Sequence, residues 1–126
     1  MTHLPHHVGV VASGLAASRA VYVAALAPLG VVVGYEAEGV CELWREGEDT
    51  PSLSLEQADH TVTRGVHLAF EARSRGEVDA FHRAAVGAGG TSRHVPAYWA
   101  EYGAYCAFVS DPDGNNLEAL IKGPPA

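Results

Sequence analysis

The sequence contains little positive charge and almost no lysine. Of its 126 residues, 15 are acidic and eight are Lys or Arg, which gives a net charge of −7, and Lys122 is the only lysine. Phosphate backbones and anionic membrane surfaces are bound by concentrated basic surfaces. The composition therefore argues against nucleic acid and against a membrane surface as partners.

Cysteines and long apolar stretches are also scarce. No apolar run approaches the ~20 residues of a membrane-spanning helix, and the N-terminus lacks the basic start and apolar stretch of a signal peptide. The two cysteines, Cys41 and Cys106, form no close-spaced pair, which predicts free thiols in a reducing compartment. We therefore expect a cytoplasmic protein, and the chain length fits one compact domain.

The sequence repeats one pattern. His7 begins a short apolar stretch that leads into a helix-like segment, and His67 does the same 60 positions later. Each helix-like segment ends at glycine and is followed by strand-like pieces. The repeat predicts a single α+β domain over 1–126, built from two tandem βαβββ modules at about 1–60 and about 61–126. Their curved mixed sheets would enclose a cleft, with the helices outside.

Local signals place the elements within each module. Ser13 and Ser74 are the predicted N-caps of the two helices, and Ser74 starts a capping box that ends at Glu77. The tetrapeptide Asp111-Pro-Asp-Gly114 suits a type I turn. The predicted strands cover about 6–12, 31–37, 40–45, 51–57, 66–72, 105–109 and 116–121.

Strand parity adds a carboxylate to the two repeated histidines. In the last predicted strand, the apolar Leu117 and Ala119 share one face and Glu118 lies on the other. Glu118 is therefore expected to point to the concave side, as His7 and His67 are. A buried carboxylate beside neutral imidazoles is costly unless a cation compensates it. Two imidazoles and one carboxylate bind catalytic divalent metals. The alternative is that each histidine is an ordinary exposed or hydrogen-bonded residue.

Four segments together resemble a known superfamily over nearly the whole chain. They are His7-Val-Gly, Gly65-Val-His67-Leu-Ala-Phe, Val78-Asp-Ala-Phe-His82 and Phe108-Val-Ser-Asp-Pro-Asp-Gly-Asn-Asn-Leu-Glu118. The chain resembles the vicinal oxygen chelate superfamily, which includes glyoxalases, bleomycin-resistance and fosfomycin-resistance proteins and extradiol dioxygenases. The last segment is the most specific, because its glutamate binds metal in the metal-dependent members.

The resemblance implies paired βαβββ modules, commonly a homodimer, and one divalent metal ion (Zn, Ni, Fe, Mn or Co). Its ligands would be His7, His67 and Glu118, with His6 as a competitor for the first position. Glyoxalase-type members use a fourth ligand from the last strand of the first module. Glu56 is the best match for that ligand or for a general base, and the alternative is a solvated turn residue.

Aromatic side chains cluster around the start of the strand predicted at about 105–109, which is the seventh strand of the two-module pattern. Tyr98, Trp99, Tyr102 and Tyr105 are interpreted as part of a loop at the mouth of a substrate pocket. Packing within the loop, or in a dimer interface, is the alternative interpretation.

The resemblance implies a divalent-metal-dependent, glyoxalase-like or dioxygenase-like enzyme. Its substrate would be a small molecule that chelates the metal through neighbouring oxygens. With Glu56 as a fourth ligand the chemistry would be an isomerisation or lyase reaction by proton transfer, and with three ligands it would include iron-dependent oxygen chemistry. The alternative is a metal-independent protein of the bleomycin-resistance type, which sequesters a drug or metabolite.

Overall fold

The computed structural model describes residues 5–48 and 52–125 of the chain. The elements appear in the order strand, helix and three strands, and then the same order again. Their bounds are β1 Val8–Ala12, α1 Leu15–Leu26, a short 3-10 turn Ala27–Leu29, β2 Val31–Ala37, β3 Val40–Arg45, β4 Leu53–Gln57, β5 His67–Glu71, α2 Arg75–Gly87, β6 Thr91–Trp99, β7 Ala104–Ser110 and β8 Asn116–Lys122.

The strands form two mixed sheets with identical topology. The first sheet has the order β1-β4-β3-β2 and the second the order β5-β8-β7-β6. In each sheet the first and last strands of the module run parallel, and the other neighbours run antiparallel. The two predicted βαβββ modules are therefore confirmed.

Each helix covers one face of its own sheet, and the two helices also pack against each other. One continuous core results, because strand alternation turns every second residue towards the helices. Its largest fully buried side chains are Tyr22, Phe81, Leu26, Leu29, Leu43, Leu53, Leu55 and Leu117. Burying one such side chain contributes about 1.5–3 kcal/mol. The opposite face of each sheet is left open for a site.

The second helix begins as predicted. Ser74 Oγ accepts a hydrogen bond from the Glu77 backbone N–H at 3.1 Å. The Glu77 carboxylate accepts from the backbone N–H of Arg73 at 2.9 Å instead of from that of Ser74. The capping interaction is therefore present, but the glutamate accepts from the residue before the N-cap and not from the N-cap itself.

The prediction that Ser13 caps the first helix is wrong. Gly14 occupies the N-cap and has no side-chain hydrogen bond there. Both the backbone N–H and the hydroxyl of Ser13 donate to the carboxylate of Asp113 in the other module. A buried carboxylate is a stronger acceptor than anything the helix offers to Ser13.

The predicted loop before the seventh strand is correct only for residues 100–103, which form a turn, because residues 91–99 form the edge strand β6. Its pairing with β7 shifts register between Ser92 and His94 and again between His94 and Ala97. These shifts break the alternation on which a sequence-based strand prediction depends. Pro96 is tolerated because an edge strand does not need every N–H group.

Among the described residues, no helix combines the length and apolar character required to cross a membrane.

Candidate functional site

His67 and Glu118 meet on the open face of the second sheet. In the parallel register of β5 and β8, Ala69 lies opposite Glu118, and His67 is two residues earlier on the same face. The His67 Nε2 atom is 2.8 Å from Glu118 Oε1. The histidine side chain is 50% exposed and the glutamate side chain only 5%. The carboxylate is therefore buried with an imidazole as its neighbour, as strand parity predicts.

A fully buried asparagine positions this pair. The Asn115 Oδ1 atom accepts from the Val66 N–H at 3.0 Å, directly before His67. Its Nδ2 group donates to Thr63 O and to Asp111 Oδ2, both at 2.9 Å. Asn115 thus ties the start of β5 to the turn before β8, which sets the relative height of the histidine and the glutamate.

The turn before β8 also connects the two modules. The Gly114 N–H donates to Asp111 O at 3.1 Å, the hydrogen bond expected for the predicted turn. From the first module, Tyr22 donates its hydroxyl to Asp111 Oδ2 at 2.6 Å, while Ser13 binds Asp113. Burial, followed by the hydrogen bond to Asp111, raises the pKa of Tyr22. Tyr22 therefore stays a neutral donor, and the acidic turn fixes module one to the strand of Glu118.

A pocket of about 200 Å³ opens beside the pair. Its lining residues are His67, Tyr102, Ala104, Cys106, Glu118, Leu120 and Lys122. Burial, and secondarily the nearby Glu118, raises the pKa of the Cys106 thiol to about 12. Cys106 therefore presents a neutral surface to the pocket at physiological pH.

Sequence reasoning missed Cys106 and Lys122 as pocket residues. Lys122 has the same strand parity as Glu118, which is a signal available in the sequence. Cys106 is placed there by the β7–β8 register, in which it lies opposite Leu120. That register links strands across a turn, and the sequence alone did not specify it.

Aromatic rings extend the same open face. The Phe108 ring lies 6.2 Å from the His67 ring and 5.6 Å from the Trp99 ring, centroid to centroid. Tyr102 is exposed at the pocket edge. Trp99 and Tyr102 therefore lie on the same open face as the His67–Glu118 pair.

Tyr98 and Tyr105 lie on the opposite face of that sheet. The two residues pair across β6 and β7, and the Arg75 guanidinium lies 5.6 and 4.7 Å from their ring centroids. Tyr105 donates its hydroxyl to Asp79 on α2 at 2.7 Å, and this hydrogen bond raises the pKa of Tyr105. Both tyrosines therefore pack on the helix side, because adjacent residues of a strand alternate in direction.

The remaining predicted ligands belong to the first module. His7 precedes β1, and its Nδ1 atom is 2.9 Å from Nδ1 of His6. Glu56 is exposed on β4, and its Oε2 atom lies 3.4 Å from the place where a Cβ on Gly9 would be. Since alternate residues share a face, Glu56 lies on the same open face as His7 and Gly9.

In the first sheet, the position equivalent to that of Glu118 in the second sheet is not occupied by Glu56. Ala69 lies opposite Glu118 in the second sheet, and Gly9 lies opposite Ser54 in the first. Ser54 is therefore the structural counterpart of Glu118. Glu56 lies two residues further along β4, a displacement of about 6.6 Å along the strand.

The candidate ligand residues of a single chain form only part of a divalent-metal site. A carboxylate can only accept, so the His67–Glu118 contact requires a proton on the imidazole nitrogen, and a metal ion would take the place of that proton. Across residues 5–48 and 52–125, however, no three His, Cys, Asp or Glu side chains are grouped closely enough to hold a metal. The described residues bring together two of the three predicted ligands, and His7 is not grouped with them.

Comparison with known proteins assigns the fold to a family. The glyoxalase-like domain matches residues 10–120. The chain belongs to the glyoxalase-like family of the vicinal oxygen chelate superfamily. None of the curated proteins matches the chain.

Solved structures agree with this membership. A glyoxalase/bleomycin resistance protein from Albidiferax ferrireducens is 30% identical, with 95% of this chain and 99% of that chain covered and a TM-score of 0.81. A glyoxalase-related enzyme from Fulvimarina pelagi shares the fold at 19% identity, with 97% and 89% covered and a TM-score of 0.74. A lactoylglutathione lyase from Agrobacterium tumefaciens shares it at 21% identity, with 95% and 94% covered and a TM-score of 0.65.

Proposed function

We propose that this glyoxalase-like protein is a divalent-metal-dependent enzyme acting on a small molecule that presents two neighbouring oxygens. The observation that carries the proposal is the 2.8 Å contact between His67 Nε2 and the nearly buried Glu118 carboxylate beside a pocket. The free thiols of Cys41 and Cys106 support the cytoplasm as its location.

His7 is the third ligand in this proposal, and a second copy of the chain supplies it. Within one chain no group of three candidate ligands forms among the described residues, whereas each sheet has one open face carrying part of the set. In a homodimer, the face of His7 on one copy would meet the face of His67 and Glu118 on the other. A two-fold symmetric contact of this kind creates two equal sites.

When bound, a divalent ion supplies Lewis acidity that stabilises negative charge developing on the substrate. The chain's own residues do the rest. Asn115 holds the backbone before His67, and the ring of Phe108 forms an apolar wall beside it. Glu56, an exposed carboxylate on the face of His7, is the proposed base that accepts a substrate proton.

A metal-independent binding protein is the second candidate. The observation that favours it is the incomplete ligand set among the described residues of a single chain, together with a pocket lined by Leu120, Ala104 and Cys106. Such a pocket would sequester an apolar metabolite or drug without chemistry.

Metal content separates the two candidates. We expect natively purified protein to contain about one equivalent of a transition metal per chain, measured by inductively coupled plasma mass spectrometry. His67→Ala and Glu118→Gln should lose it, whereas His60→Ala, at a largely exposed histidine, should not. Less than about a tenth of an equivalent in the unaltered protein contradicts the enzyme proposal. Iron would favour oxygen chemistry, and nickel or zinc would favour isomerisation.

A mixing experiment tests where His7 comes from. His7→Ala and His67→Ala proteins should each lack metal. If two copies share each site, mixed dimers contain one site with both histidines intact and one with neither. Metal binding should therefore return to about half of the sites. No recovery in verified mixed dimers would contradict a shared site.

A further inference from the structure

One side of the pocket is a row of three side chains that differ in character. Glu118, Leu120 and Lys122 alternate along β8 and all line the pocket. With about 3.3 Å per residue, the acidic and basic ends of this row are ~13 Å apart. On the neighbouring strand, Ala104 and Cys106 lie opposite Lys122 and Leu120. The pocket therefore has one acidic end, an apolar middle and one basic end.

The basic end is unusual for this protein. Lys122 is the only lysine of a chain with net charge −7. Its ammonium group donates to the backbone oxygen of Tyr102 at 2.6 Å, and no salt bridge involves it within the part of the chain that the structure describes. An ammonium group has three donors, so two remain for another acceptor.

A second cation lies behind Lys122. An adjoining pocket of about 180 Å³ is lined by both Lys122 and Arg75, together with Ile121, Gly123 and Pro124. The Arg75 guanidinium donates to Pro124 O at 2.7 Å. Lys122 is thus the cation on the pocket face, with Arg75 on the helix side of the same strand end, while the carboxylate of Glu118 repels anions at the other end of the pocket.

We infer that the pocket takes an amphiphilic anion, with its carboxylate-type group at Lys122 and its apolar or aromatic body against Leu120, Cys106 and Ala104. This inference rests on the proposed function only in taking the His67–Glu118 pocket as the substrate site. The charge arrangement sets the direction of binding, because an anionic end is attracted by Lys122 and repelled by Glu118. The part of the ligand opposite to the anion then reaches His67.

Two small molecules of the same shape test the inference. 4-Phenylbutyrate carries a carboxylate, and 4-phenylbutyramide replaces it with a neutral amide. Both are titrated into the full-length, metal-free protein and followed by amide chemical shifts, with expected changes at Tyr102, Leu120 and Lys122. An exposed charge pair contributes up to ~1 kcal/mol, so we expect the carboxylate to bind about three- to fivefold more tightly.

Substitutions of Lys122 test whether this preference for the carboxylate depends on that residue. Lys122→Gln should bring the affinity ratio to about one, and Lys122→Arg should keep most of it. Arg83→Gln is the matched control, because Arg83 is an exposed cation on α2 and its removal changes the net charge equally. The ratio should not change in that control.

Equal affinities for the two compounds in the unaltered protein would overturn the inference. So would an unchanged preference in Lys122→Gln, or no binding of either compound up to about 10 mM. Because these titrations use metal-free protein, their outcome is independent of the metal content that tests the proposed function. A protein that binds no metal yet prefers the carboxylate would refute only the metal-dependent chemistry.

Discussion

The hydrogen bond between Tyr22 and Asp111 is the contact through which the first module stabilises the turn before β8. We predict that Tyr22→Phe lowers the free energy of unfolding by about 2 kcal/mol, because a hydrogen bond to a charged acceptor contributes about 1.5–3 kcal/mol. Tyr22 is fully buried and Asp111 is 5% exposed, so water does not replace the lost donor. The carboxylate keeps its bonds from Asn115 and from the Asp113 N–H, which places the expected loss in the lower part of that range.

Urea denaturation followed by circular dichroism measures this loss. Tyr105→Phe is the matched control, because its hydroxyl also donates to a carboxylate, that of Asp79, but in a part-buried place. We expect about 0.5–1.5 kcal/mol for the control. A loss below about 0.5 kcal/mol for Tyr22→Phe, or one no larger than in the control, would refute the role assigned to the contact.

The Tyr22→Phe variant also tests a predicted pH dependence of the free energy of unfolding. The pKa of Tyr22 is raised in the folded protein, so the unfolded chain loses this proton first as the pH increases. The stability that Tyr22 contributes is therefore fully present below about pH 10 and is lost as the pH rises towards the folded-state pKa. The difference between the unaltered protein and Tyr22→Phe should shrink above about pH 10, and a constant difference would contradict the assignment.

Two further predictions concern the site. Asn115→Ala should cost about 2 kcal/mol in urea denaturation, because it leaves the part-buried Val66 N–H and Thr63 O without their asparagine partner. Asn116→Ala should cost less, since Asn116 Oδ1 has no partner among the described residues, and equal losses would contradict the positioning role. Cys106 should not react with Ellman's reagent at pH 8 in the folded protein, because burial raises its pKa to about 12. Both thiols should react after denaturation, and fast labelling of Cys106 in the native state would refute the assigned burial.

Much of the fold was predictable from local patterns. Helices and strands impose periods of 3.6 and two on the side chains, so the repeated modules and the direction of Glu118 follow from residue order. Ser74 was predictable because a cap bonds within three residues of itself. Strand β6 was not, since its register shifts and Pro96 remove the alternation.

The candidate site was predictable only in part. Strand parity was enough to predict that His67 and Glu118 share a face. Their contact required the register of β5 against β8, and comparing Glu56 with Ser54 required the register of β1 against β4. Ser13 shows the same limit, because its partner Asp113 lies 100 residues away. A local pattern cannot specify such a partner.

The sequence by itself determined the two-module architecture, the acidic composition and the shared face of His67 and Glu118. Each depends on composition or on backbone periodicity, which residue order specifies directly. Only the tertiary structure decided that Tyr105 packs on the helix side, that Lys122 and Cys106 share a pocket with Glu118, and that the acidic turn holds the modules together. These features depend on strand register and on hydrogen bonds between distant segments, which exist only once the chain has folded.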